Sequence, residues 1–240
     1  MIIENEYQVK LSEIGKDNKV TNKAILSYLE DIGGIHSNLA GTGLLNIEET
    51  NMSWVLLEWK LQVIKRPKYT DKIKVKTWSK PPVKCYAYRD FELYDMEGNI
   101  IAKAISKWIL IDISKGKILR VDDKILEKYE PEERTVFENE KFEKIKESSE
   151  YKEEVTYKVK RSDIDVNKHM HNLNYIDLAT EVLPEEVYNN KTFDNVRITY
   201  KKEIKLGEVV QSKYAYQDGK HVIAIKSEDD KVLHSIIELY

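Results

Sequence analysis

The chain has 240 residues, 41% of them hydrophobic and 34% charged, with a net charge of −3 at pH 7. That length suits one large or two small domains with a buried core, and its interspersed charges offer no overall field that would gather nucleic acid. The single cysteine, Cys85, excludes an intrachain disulfide and a cysteine-rich metal site.

No leader-like segment opens the sequence and no run of about 18 apolar residues could span a bilayer, so a soluble cytoplasmic protein is expected. In chain order, Val9–Ile14 precedes a helical pattern. Ile25, Leu29, Ile32, His36 and Leu39 fall on one stripe, Thr21 is placed to cap its start, and Gly41-Thr-Gly43 ends it. Gly33-Gly34 inside it marks a bend or a close backbone approach. A strand follows from Trp54 to Arg66, with Val55, Leu57, Trp59 and Leu61 expected on one face. Ile73, Val75 and Thr77 mark the next strand. Cys85 lies in the loop after Pro81-Pro82 and reads as an inert, partly buried thiol. The turn Asp95-Met-Glu-Gly98 leads to a strand from Ile100 to Ile113. Glu127 to Glu154 is rich in Glu and Lys and reads as a partly ordered linker, tacked down by Val136, Phe137, Phe142 and Ile145.

The pattern then repeats. Val9-Lys-Leu-Ser-Glu-Ile14 returns as Val159-Lys-Arg-Ser-Asp-Ile164, and the later landmarks recur at separations of 150, 137 and 132 residues. Asn18-Lys19 is matched to Asn167-Lys168, which sets Val20 opposite His169. A helix on a curved antiparallel sheet, written twice, predicts an α+β tandem, or double, hot-dog: two antiparallel sheets, each wrapping a long helix and joined edge to edge. The expected division is an N-terminal hot-dog at 1–126, a charged linker at 127–150 and a C-terminal hot-dog at 151–240.

Asp165-Val-Asn167-Lys-His169 joins a strand-like run (Val155 to Arg161) to a helix-like run (Asn172 to Leu183). A carboxylate, an amide and an imidazole at such a junction can accept, donate and shuttle protons, as a hydrolytic site requires. On a helical turn Asp165 and His169 would share a face. The first copy lacks the imidazole, so one active centre is expected, in the second half. No zinc spacing, phosphate loop or dinucleotide fingerprint is present, and neither metal nor cofactor is expected.

Ser162-Asp-Ile-Asp165-Val-Asn167-Lys-His169-Met-His171-Asn172-Leu-Asn-Tyr175 resembles the D-x-N-x-H-V-N-N-x-x-Y signature of acyl-acyl-carrier-protein thioesterases, plant and bacterial. Ile198-Thr-Tyr200-Lys-Lys-Glu203 resembles their second block, and Arg66-Pro67, Lys76-Thr-Trp78, Arg89-Asp90-Phe91 and Ser106-Lys-Trp108 resemble first-half landmarks. The likeness covers nearly the whole chain. Plant members carry cysteine directly after the glutamate; here Ile204 stands there, so no thiol nucleophile is available at that position. His171 replaces a usual asparagine, and Leu178 a usual tryptophan.

The resemblance implies hydrolysis of fatty acyl-acyl-carrier-protein thioesters, releasing free fatty acid and ending chain elongation. It implies Asp165, Asn167, His169 and Glu203 as the catalytic set. Glu203 is the expected general base, partly desolvated. Asn167 Nδ2, with backbone N–H groups at the helix start, is the expected oxyanion donor, a role whose loss typically costs about 10²–10³ in rate. Asp165 orients the imidazole or positions water, and His169 donates to the leaving sulfur or fixes the water. Replacing Asp165 or Glu203 by its amide is expected to cost orders of magnitude in turnover. Tyr175 and Tyr200 are read as packing residues. The first hot-dog would hold the acyl tail against Ile25, Leu29 and Ile32. The acidic carrier protein would meet Lys65-Arg66-Lys68 or Lys201-Lys202. The chain would act as a monomer (an internal pseudo-dimer) or a homodimer. An acyl-CoA thioesterase on the same scaffold and a hot-dog that binds acyl thioesters without cleaving them are the alternatives; a hydratase fits less well.

Overall fold

The side-chain oxygen of Thr21 accepts from Ala24 N at 3.1 Å, so the first helix starts where the capping pattern places it. In this computed structural model, which describes residues 1–139 and 141–240, that helix is α1, Asn22–Leu39. Ile25, Leu29, Ile32 and His36 are buried, whereas Leu39 is 67% exposed and off the stripe. Neither helix glycine is required by a close approach: a Cβ at Gly33 would make an ordinary 3.6 Å contact with the Arg89 side chain, and one at Gly34 would meet nothing within 4 Å. Burying each large aliphatic side chain contributes about 1.5–3 kcal/mol.

The chain divides into two units, Met1–Lys141 and Phe142–Tyr240. The first contains β1 (Ile2–Gln8), α1, α2 (Ile47–Thr50), β2 (Met52–Val63), β3 (Lys72–Ser79), β4 (Tyr86–Asp95), β5 (Ile100–Asp112), β6 (Lys117–Leu119) and α3 (Asp123–Tyr129). Its antiparallel sheet runs β1-β3-β4-β5-β2, with β6 on β5. The second contains β7 (Glu153–Lys158), α4 (Asn174–Glu181), α5 (Glu185–Asn190), β8 (Asn195–Tyr200), β9 (Val209–Gln217), β10 (Lys220–Ser227) and β11 (Leu233–Leu239). Its sheet runs β7-β9-β10-β11-β8, the same order over again, also antiparallel.

Two local expectations change, and a third is seen in detail. The β2–β5 register shifts between Leu56 and Glu58. This bulge moves the buried face from the Val55–Leu57 series to Leu56, then Trp59, Leu61 and Val63. The second helix is shorter than the Asn172–Leu183 run: α4 covers eight residues, and α5 begins directly after Pro184, which has no N–H to continue a helix. The charged stretch is held to both units. Val136 N donates to Asp90 Oδ2 at 2.9 Å in the first, and Ile145 packs with Val222 and Ile236 in the second.

The core of the first unit holds a titrating histidine. His36 is 0% exposed, and its Nδ1 is 2.8 Å from the Arg89 guanidinium, which itself lies over the Tyr129 ring. Burial, and then the Arg89 charge, push His36 down to about 3. Between that value and the ordinary histidine range, the unfolded chain binds a proton that the folded chain refuses. Stability therefore falls as pH drops from about 6.5 toward 3. His36→Gln, which accepts from Arg89 but does not titrate, is expected to flatten that part of a denaturation-midpoint-versus-pH curve; an unchanged slope would exclude His36 as its source.

Candidate active site

The second copy of the repeat builds the site from a tight turn. Asp165 N donates to His169 O at 2.9 Å and Lys168 N to Asp165 O at 3.0 Å. Lys168 adopts a left-handed φ of 64°. Asp165 Oδ1 accepts from Asn167 N at 2.8 Å and from His169 N at 3.3 Å, an Asx arrangement that fixes the turn. The residues Asp165 to His169 are therefore not helical. That Asp165 oxygen engages the backbone under Asn167 and His169, whereas a shared helical face would have set carboxylate against imidazole.

The turn is stitched to the segment carrying Glu203. Met170 N donates to Ile204 O at 2.8 Å, and His169 forms a β-bridge with Lys205. Ile204 is fully buried, while Lys201, Lys202, Glu203 and Lys205 are exposed. Glu203 is thus not desolvated by the fold itself. Tyr175, buried on α4, touches both sides: its ring meets Tyr200 edge-on at 5.2 Å, and its hydroxyl lies against the Ile204 backbone. Burial raises the Tyr175 hydroxyl far above the usual tyrosine range, and the charges of Glu203, Glu208 and Asp165 push it further. A groove of about 530 Å³ is lined by residues including Lys202, Glu208 and His234, and none of Asp165, Asn167, His169 and Glu203 is in its wall. Among the described residues, no group of three or more His, Cys, Asp or Glu could hold a metal ion, and no helix is long and apolar enough to cross a membrane.

The first copy makes the same turn with other residues. Gly15 N donates to Lys19 O at 2.8 Å, Asn18 N to Gly15 O at 3.0 Å, and Asn18 has φ 59°. Thr21 N→Glu13 O at 3.0 Å matches His171 N→Asp163 O at 2.8 Å. The copies therefore align at a separation of 150, not the 149 that matching Asn-Lys to Asn-Lys implies. Gly15 stands for Asp165, Asp17 for Asn167 and Lys19 for His169, so the first copy lacks all three side chains. Downstream, Val9 N→Asp71 O and Val159 N→Glu208 O, each 2.9 Å, fix a separation of 137. That sets Arg66 opposite Glu203. Arg66 points inward, donating to Val20 O at 2.8 Å and Asn22 Oδ1 at 2.9 Å; it is not a free cation for a partner.

Two units of one antiparallel topology, with the acid, amide and imidazole in the second alone, define a tandem hot-dog chain with a single candidate hydrolytic turn among the described residues. The sequence profile of the acyl-ACP thioesterase N-terminal domain matches residues 2–129, and that of the C-terminal domain matches residues 145–238. The chain belongs to the acyl-ACP thioesterase family. The chloroplastic oleoyl-acyl carrier protein thioesterase 2 of Arabidopsis thaliana is 24% identical over 223 residues, covering 86% of this chain and 61% of that protein. This chain spans about three fifths of the length of such plant relatives. The crystal structure of an acyl-ACP thioesterase from Bacteroides thetaiotaomicron has a TM-score of 0.86 at 22% identity, covering 99% of this chain and 96% of the other. The 12:0-ACP thioesterase from Umbellularia californica has a TM-score of 0.87 at 16% identity, with the same coverages. At these identities the likeness to the solved structures concerns the fold.

Proposed function

We propose that this chain hydrolyses the thioester of fatty acyl groups carried on acyl carrier protein, releasing the free acid. In this reading the second unit supplies the chemistry, and the apolar layer between α1 and its sheet takes the acyl tail. Family membership supports the reaction class. The observation that supports the residue assignment is the backbone junction of the two segments, Met170 N donating to Ile204 O at 2.8 Å and His169 bridging Lys205, which sets Glu203 beside the turn.

Glu203 takes a proton from water as its oxygen attacks the thioester carbon. The carbonyl oxygen becomes an oxyanion, stabilised by a hydrogen bond from Asn167 Nδ2. Collapse of that intermediate breaks the carbon–sulfur bond, and His169 delivers a proton to the leaving sulfur. The proton held by Glu203 then restores His169, and acid and thiol depart. Asp165 serves by holding the turn that presents Asn167 and His169. Substrate binding, by displacing water, would complete the desolvation of the exposed Glu203. A buried methylene contributes about 0.8 kcal/mol, so an apolar slot favours a range of chain lengths over a single one. Exposed Lys201, Lys202 and Lys205 flank Glu203 and suit an acidic carrier.

Thiol release from one acyl group, presented on carrier protein and on CoA, tests the reading. A kcat/KM at least about tenfold higher on the carrier is expected. Equal or faster release from CoA would overturn the carrier assignment, and no release from either would overturn hydrolysis.

A further inference from the structure

We infer that Asn172 and the Met170 carbonyl position the water that Glu203 activates, in the place that the Arg66 guanidinium fills in the first copy. The inference rests on the reading of Glu203 as the base. In the first copy, Arg66 spans from its strand end to the start of the helix and closes on two acceptors, Val20 O and Asn22 Oδ1. The equivalents in the second copy, at the separation of 150, are Met170 O and Asn172. The backbone around them is built alike. Thr21 N→Glu13 O corresponds to His171 N→Asp163 O, and Lys68 N→Asp71 Oδ2 at 2.8 Å corresponds to Lys205 N→Glu208 Oε2 at 2.9 Å.

The exchange is one of reach and sign. A glutamate side chain is two bonds shorter than an arginine, so from the same strand position it falls short of the same acceptors by about one hydrogen-bond length, ~2.8 Å. Water fits that gap and repeats the guanidinium's bonding. It donates to the Met170 carbonyl and to the Glu203 carboxylate, and it accepts from Asn172 Nδ2, the amide turned over relative to Asn22. The Asn172 backbone is already fixed: its carbonyl accepts from Tyr200 Oη at 3.0 Å, and Tyr175 beneath it packs on Tyr200. In the first copy this framework holds a cation for structure. In the second it aims a lone pair of water at a substrate carbon. Asn172 is accordingly a positioning residue, acting through the water.

Five variants test this in the full chain with acyl-acyl carrier protein as substrate. Asn172→Ala is expected to lower kcat about 30-fold with KM within twofold, and Asn172→Ser, which keeps a hydroxyl to hold water, to recover at least fivefold of that loss. Glu203→Arg rebuilds the first-copy contact. It is expected to be inactive but to unfold about 2 °C higher than wild type, and to lose that gain when combined with Asn172→Ala. A kcat for Asn172→Ala within twofold of wild type, a loss borne by KM, or a Glu203→Arg effect on unfolding that is indifferent to residue 172 overturns the inference. Glu203→Gln separates the two levels. If it is fully active, the base assignment itself falls; if it is inactive while Asn172→Ala turns over normally, only the role of Asn172 falls.

Discussion

Glu203→Gln is expected to lower kcat by about 10²–10⁴-fold, the usual span for losing a positioned general base. Its melting temperature should stay within about 2 °C of wild type, because an exposed carboxylate with no role in packing contributes little to stability. The amide keeps the size of the side chain and can still accept a hydrogen bond, but it cannot take a proton from water. The loss should fall on kcat, since the amide keeps the shape of the side chain and removes only its ability to take the proton. Single-turnover measurements would separate chemistry from binding. A variant that hydrolyses at the wild-type rate would remove Glu203 from the mechanism.

Asp165→Ala is expected to cost about 10²-fold in kcat, the scale on which a displacement of about 1 Å weakens a reaction. The alanine removes the oxygen that accepts from Asn167 N and His169 N, so both side chains lose their anchor. Asp165→Asn keeps an Oδ1 in the same place. The sequence alone suggests orders of magnitude of loss for that amide too, on the view that the carboxylate orients the imidazole. The turn geometry changes the expectation: Asp165→Asn should stay within about tenfold of wild type. If the asparagine variant is as inactive as the alanine one, the negative charge itself is what the reaction needs, and the turn is incidental.

Much of this was legible in the residues. The stripe Ile25, Leu29, Ile32 and His36, capped by Thr21, specified α1, because hydrophobic period and N-cap chemistry are local signals. The separations of 150 and 137 already set Arg66 opposite Glu203, although the meaning of that exchange needed the Arg66 contacts. Matching Asn-Lys with Asn-Lys misled the alignment by one residue. Hydrogen-bonded turns are equivalent through backbone conformation, and the left-handed positions are Asn18 and Lys168, which share no chemistry.

The sequence by itself determined that the chain is a duplicated α+β unit, that the imidazole sits in the second copy alone, and that a glutamate follows some forty residues after Asp165. These are matters of composition, period and spacing, written along the chain. Only the tertiary structure decided that Asp165 folds its oxygen onto the backbone, that the β2 bulge re-faces the strand, and that Ile204 O and Met170 N join the two segments of the site. The first is a choice of turn over helix that residue types leave open; the other two depend on which backbone groups meet across distant residues, a meeting that burial rewards only once the sheet and helix have brought them together.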